Sequence, residues 1–156
     1  RRVTMAGCSR RQMLLAAASV ALAASGAASI AAAADPHRLA LQISDEDPAK
    51  MRAVLDVAAN VSRHYSGEGD EVEIVVVAFN GGLDMLLADR SPVKERVLGF
   101  AKSMPNVSFI ACGNTMETLA SKEGRQPPLL DGVTVVKTGV ATLLELSERN
   151  WTIVRP

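Results

Sequence analysis

Val72-Glu73-Ile74-Val75-Val76-Val77-Ala78-Phe79, followed at once by Asn80-Gly81-Gly82, decides the fold of this chain. The run is β-branched and almost unbroken in its apolarity. A strand with one face in water would alternate apolar and polar side chains; this one does not, so it predicts a strand covered on both faces. That is the environment of a parallel sheet carrying helices on each side. Gly81-Gly82 then opens a short helical piece reaching Leu87.

Working outward, the same alternation of β-rich runs and amphipathic helical stretches repeats. Upstream, residues 39–44 predict a first strand. Asp47-Pro48 reads as a helix N-cap followed by an N1 proline. The helix after it buries Met51, Val54, Leu55, Ala58 and Val61 at three- and four-residue spacing and ends near Ser66-Gly67. Downstream, Ser91-Pro92 repeats the cap-and-proline start, with Val93, Val97 and Phe100 facing inward. Residues 107–111 predict the third strand, and Asn114 or Thr115 caps a short helix to about Glu123. Gln126-Pro127-Pro128 makes a loop, and 133–136 the fourth strand. Thr138 caps a helix carrying Val140, Leu143, Leu144 and Leu146, before a last strand at 151–154. The expectation is α/β: a single three-layer α/β/α domain over residues 35–156, built on a five-stranded, mainly parallel sheet.

The first 34 residues have another character. Ser9-Arg10-Arg11-Gln12-Met13-Leu14 sets paired arginines before an apolar stretch over 14–24, and Ala32-Ala33-Ala34 offers small residues to a peptidase. The segment is rich in Ala and poor in Leu, a weak hydrophobicity that suits the twin-arginine export route. The expectation is a signal peptide removed at about Ala34, export of folded cargo to the periplasm, and no stable membrane insertion afterwards. The competing reading is an uncleaved anchor, since positions 12–34 are uncharged and long enough to span a bilayer. Cys8 precedes the apolar region, which excludes a lipoprotein cysteine. The first residue is Arg1, so the natural start is expected at Met5 or upstream.

Charge and composition narrow the function classes. Arg1, Arg2, Arg10 and Arg11 all precede Asp35, with no acid among them. The chain's balance of 17 basic and 17 acidic residues therefore becomes an excess of four acids after cleavage. A mildly acidic domain without a Lys/Arg cluster is a poor match for nucleic acid or anionic membranes. With only 3% aromatic residues, Val, Leu, Ile and Ala must build the core.

Ligands of open parallel sheets bind beyond the carboxyl ends of the strands. Those ends are Ser44-Asp45, Phe79-Asn80-Gly81-Gly82, Ala111-Cys112-Gly113-Asn114-Thr115 and Lys137-Thr138-Gly139. Cys112 leaves a strand just before a helix, where free N–H groups and the macrodipole favour a thiolate. Gly113 permits a close backbone approach, and Lys137 would add positive charge if the fourth strand lies nearby. Cys112 is the only cysteine left after cleavage, so an intramolecular disulfide is impossible. The bland alternative is a small buried hydrophobe. Asp45, Glu46 and Asp47 read as a helix-capping acidic loop rather than a metal site. His37, in the flexible start of the mature chain, and His64, near a helix C-terminus, read as structural. Gly81-Gly82 lacks the spacing of a dinucleotide fingerprint. No metal or cofactor is expected.

Three pieces taken in order carry a resemblance. They are Ala78-Phe79-Asn80-Gly81-Gly82-Leu83, Val107-Ser108-Phe109-Ile110-Ala111-Cys112-Gly113-Asn114-Thr115, and Val135-Val136-Lys137-Thr138-Gly139-Val140 with the closing Asn150-Trp151-Thr152-Ile153-Val154-Arg155-Pro156. Together they make the mature region similar to the DsrE/DsrF-like family of small sulfur-handling proteins. The resemblance implies a compact parallel α/β subunit that assembles into homo-oligomers, often trimers or hexamers. It also implies that Cys112 accepts sulfane sulfur as a persulfide. Phe79-Asn80 departs from the family, which often has His or Tyr and then Gly there.

The leading expectation is a periplasmic sulfur-binding or sulfur-transfer protein. Cys112 would be the nucleophile, and Gly81, Gly82, Gly113, Asn114, Thr115, Lys137 and Gly139 would line the site. Asn114 and Thr115 N–H groups, with Lys137, would stabilise the anion, and the sulfur donor and acceptor would be other proteins. The alternative is a non-enzymatic oligomeric binding or accessory module with a structural cysteine. A metal- or haem-linked redox partner is suggested by the export route alone.

Overall fold

The run around Val76 becomes the middle strand of a five-stranded sheet in a computed structural model that describes residues 35–156. The expected leader, residues 1–34, lies outside the described residues. The strands are His37–Ile43 (β1), Val72–Ala78 (β2), Val107–Cys112 (β3), Val133–Val136 (β4) and Thr152–Val154 (β5). All neighbours pair in parallel, in the order β4-β3-β2-β1-β5. The helices are Pro48–Glu68 (α1), Lys94–Ser103 (α2), Gly113–Glu123 (α3) and Gly139–Glu148 (α4), with a 3-10 helix over Asn80–Leu86.

Strand order decides which face each helix covers. From β1 to β4 the chain steps across the sheet in one direction. Right-handed crossovers then place α1, α2 and α3 on one face. From β4 the chain returns across the sheet to β5, beside β1, and this reversed step carries α4 to the opposite face. The two hydrophobic clusters follow that division. Ile74, Val76 and Ala78 of β2 pack with Met51, Val54, Phe100 and Met116 from α1, α2 and α3. Val75 and Val77 pack with Leu143 and Leu146 of α4. Six of the seven β2 residues are buried, five of them in unbroken succession from Ile74 to Ala78, as a strand covered on both sides requires.

Local signals set most boundaries. The Asp47 carboxylate accepts the Ala49 N–H at 2.8 Å, and Pro48 fills the first helical position of α1. That helix runs past Ser66-Gly67 to Glu68, and Gly69 closes it in the left-handed conformation at φ 81°. The α2 start differs from expectation. The Ser91 hydroxyl accepts the Val93 N–H at 3.3 Å but donates to the Met85 carbonyl at 2.6 Å, and the helix begins at Lys94. Val93 is drawn into the core at 5% exposure, with a φ of −125° that no helix accommodates. In α4, Leu143 and Leu146 reach the sheet, but Val140 and Leu144 stay 55% and 62% exposed. His37 is not in a flexible start; it opens β1, with its ring stacked on Tyr65 at 4.0 Å. Among the described residues, no helix is long and apolar enough to cross a membrane.

Gly99 sits exposed inside α2 with no atom within 4 Å of an added Cβ. Gly99→Ala should therefore raise stability by about 0.5–1 kcal/mol, because Ala loses less backbone entropy on folding. Chemical denaturation would read this as a higher midpoint at unchanged slope.

Candidate functional site

Adjacent strands β3 and β4 send their chains to opposite faces, into α3 and α4. Such a switch point opens a crevice between two strand ends in a parallel sheet. Cys112 is the last residue of β3 and lies opposite Val136 of β4 in register. It is also the residue before α3, in extended conformation at φ −76° and ψ 115°. Neither Asn114 nor Thr115 caps the helix. Asn114 sends its backbone N–H to the Lys137 carbonyl at 3.1 Å and its side-chain N–H to the Thr138 hydroxyl at 3.1 Å. The Thr115 hydroxyl accepts the Asn80 N–H at 3.1 Å. Side chains that look like caps in the sequence instead tie three strand ends together.

Missing Cβ atoms let these ends close. A Cβ on Gly139 would stand 3.3 Å from the Cys112 Cβ and 3.3 Å from Val77 Cγ1. One on Gly113 would stand 2.9 Å from the Val136 carbonyl oxygen. The N-termini of α3 and α4 thereby converge on Cys112. Burial raises the pKa of the Cys112 thiol. The Gly139 N–H, the Thr115 hydroxyl and the Thr115 and Asn114 N–H groups oppose that and prevail, so the thiol ionises more readily than an ordinary one. Because the Thr115 oxygen already accepts from Asn80, its own hydrogen is free to point at the sulfur.

Thr115→Val should consequently raise the thiol pKa and slow alkylation of native Cys112 at neutral pH several-fold. Rates measured across pH would show the midpoint moving upward. An unmoved midpoint would mean that the hydroxyl does not bond the sulfur.

A cleft of about 700 Å³ lies over Cys112, walled by Phe79, Asn80, Glu46, Asp84, Leu119 and Val140 among others. Cys112 lines it although the residue is only 5% exposed. Asn80 takes φ 50° at the rim, a left-handed conformation that Gly adopts freely and Asn tolerates.

The expected site residues fall in different places. Cys112, Asn114, Thr115 and Gly81 line the cleft, while Gly113 and Gly139 shape it from behind. Gly82 lies buried against the end of β1, where an added Cβ would meet the Ser44 nitrogen at 2.8 Å. Lys137 does not face the thiol. Its ammonium pairs with Glu117 Oε1 at 2.8 Å on the open surface, and only its carbonyl joins the site, through Asn114. The acidic loop separates into three roles. Asp47 caps α1, Asp45 bridges Lys50 at 3.1 Å and Arg155 at 2.8 Å, and Glu46 faces the cleft.

Asp84 has no counterpart in the sequence reading. Its half-buried carboxylate lines the cleft with no hydrogen bond or ion pair among the described residues. Burial raises its pKa most, Arg90 lowers it, and Glu46, Glu123 and Asp89 push it up again. The available signal was an acid two residues after Gly81-Gly82, beyond the carboxyl end of β2. Arg90, also on the cleft wall, is engaged by Glu123 at 2.8 Å and Asp89 at 3.3 Å. Among the described residues, no group of three His, Cys, Asp or Glu could hold a metal ion.

No family model and no curated protein matches this chain. A solved structure of a protein of unknown function from Methanobacterium thermoautotrophicum is similar to it with a TM-score of 0.66. The two share 26% identity, over 77% of this chain and 99% of that one. The five-stranded parallel α/β architecture is therefore shared with a solved protein, whose own function gives no chemistry to carry over.

Proposed function

We propose that this protein binds or transfers sulfane sulfur, carried as a persulfide on Cys112. The observation that carries the reading is the convergence of two helix N-termini on Cys112, which directly precedes α3 and packs against Gly139 at the start of α4, in the wall of a cleft. Such donors stabilise a thiolate before attack and the persulfide anion after it. The thiolate attacks the outer sulfur of a donor R–S–SH. A Cys112 S–S bond forms, the donor S–S bond breaks, and R–S⁻ leaves with the electron pair. An acceptor thiolate then attacks the outer sulfur of Cys112–S–SH and returns Cys112 as thiolate, with no net oxidation. The setting is a homo-oligomer in the periplasm, reached by the twin-arginine route, with separate donor and acceptor proteins. The leader residues and the resemblance to the DsrE/DsrF-like family support that setting.

The test is the intact mass of the mature protein after incubation with cysteine persulfide or polysulfide. A gain of one sulfur that a reductant removes supports the carrier. No adduct, with Cys112 inert to alkylation until denaturation, supports the second reading. That reading is a non-enzymatic binding module in which Cys112 is a packing residue, and the 5% exposure of Cys112 favours it.

A further inference from the structure

We infer that Asp84 is a charge filter on the Cys112 cleft, favouring sulfur donors carried on neutral or cationic groups over dianions such as thiosulfate. The inference rests on the reading of Cys112 as the sulfur acceptor, and it follows from how charge is distributed over the cleft. Negative charge is welcome at the floor, where N–H groups surround the sulfur, but not on the walls. Four charged residues line the cleft: Glu46, Asp84, Arg90 and Lys122. The Arg90 guanidinium is neutralised by Glu123 and Asp89. Lys122 is exposed, so water and salt screen it. Asp84 is half-buried and without a counter-ion among the described residues, so its field is the least screened of the four. Glu46 adds a second carboxylate of the same sign, exposed and screened like Lys122.

Attack geometry sets which part of a donor meets that field. The thiolate approaches the outer sulfur in line with the bond that breaks. The leaving group therefore points away from Cys112, into the open cleft whose walls carry both carboxylates. With thiosulfate, the Cys112 S–S bond forms, the S–SO₃ bond breaks, and sulfite departs with the electron pair and two negative charges. That charge is released into the cleft that Asp84 and Glu46 line. With a persulfide on an amine-bearing carrier, the leaving thiolate brings its own compensating cation.

Two alkylating reagents isolate the field from the sulfur chemistry. Iodoacetamide and iodoacetate form the same bond at the same sulfur and differ by one negative charge. Their rates are read at the Cys112-containing peptide. Asp84→Asn should lower the iodoacetamide-to-iodoacetate rate ratio by about threefold at low ionic strength, the effect of one unit charge across a cleft of this size. Glu46→Gln should act in the same direction, Lys122→Gln in the opposite one, and high salt should erase the differences. In parallel, Asp84→Asn should speed sulfur loading from thiosulfate relative to cysteamine persulfide by a similar factor. A ratio unchanged in both the Asp84 and Glu46 variants overturns the filter. A ratio that shifts while no donor loads sulfur overturns the sulfur reading instead and leaves only the charge selectivity of the cleft.

Discussion

Gly82→Ala should destabilise the fold by about 3 kcal/mol, at the upper end of what one added methyl costs in a packed core. The new Cβ would fall inside van der Waals contact of the Ile43 carbonyl oxygen, 2.5 Å from the carbonyl carbon and 2.8 Å from the Ser44 nitrogen. Every one of those atoms is backbone, so no rotamer change relieves the clash. The same Ile43 oxygen accepts the Phe79 N–H at 3.1 Å, the last rung between β1 and β2. Pushing it aside breaks that bond and tilts the 3-10 helix that carries Asp84. A fall in melting temperature of roughly 10 °C or more should follow for a domain of this size. The comparison is Gly99→Ala, which adds the same methyl to open space. If the two variants melt together, the close approach of the 3-10 helix to β1 is wrong.

Gly82 also shows what the sequence discloses and what it withholds. A Gly pair after an apolar strand marks a turn, and that much was legible. That one glycine seats the chain against β1 depends on a contact some 40 positions away in sequence, and periodicity carries no trace of it. The strand over Val72–Ala78 was readable because burial on both faces removes the alternation, leaving an unbroken β-branched run. The strand Val133–Val136 was readable from the same residue types. The start of α3 was not. Asn114 and Thr115 have capping side chains, yet both are claimed by partners just beyond the ends of β4 and β2, so the helix begins one residue after Cys112. Cys112 was legible as a residue at a strand end. Its two-helix anion environment was not, because that depends on β4 lying beside β3 while α4 crosses to the other face. Lys137 was misread for the same kind of reason. In a strand-end peptide it looks available, but Glu117 of α3 lies within reach of its ammonium.

The same crossing gives the site its economy. A chain that had continued beyond β4 in the original direction would have put α4 on the face of α3, and only one helix N-terminus would have faced the sulfur. The return to β5 beside β1 is what brings Gly139 over Cys112, so close that a Cβ added to Gly139 would stand 3.3 Å from the Cys112 Cβ. Fold and electrostatics are therefore one fact at this position.

Cys112→Ser should abolish sulfur loading completely and leave the fold intact. The hydroxyl is close in shape to the thiol and accepts the same N–H bonds, so the buried donors keep a partner. It does not ionise at neutral pH, so no nucleophile remains. Folding lowers the thiol pKa, so native Cys112 should be alkylated at pH values where the thiol of the unfolded chain, near about 8.5, is still protonated. The sign for stability follows. A group whose folded pKa is depressed contributes stability that is fully present above its unfolded pKa and disappears as pH falls through the folded value. Wild type should therefore gain on Cys112→Ser as pH rises through that window, and the difference between the two should level off below it. Denaturation midpoints of both proteins across this pH range give the difference directly. A constant gap, with alkylation of the native thiol no easier than in the unfolded chain, would make the sulfur a packing atom and remove the basis for the persulfide.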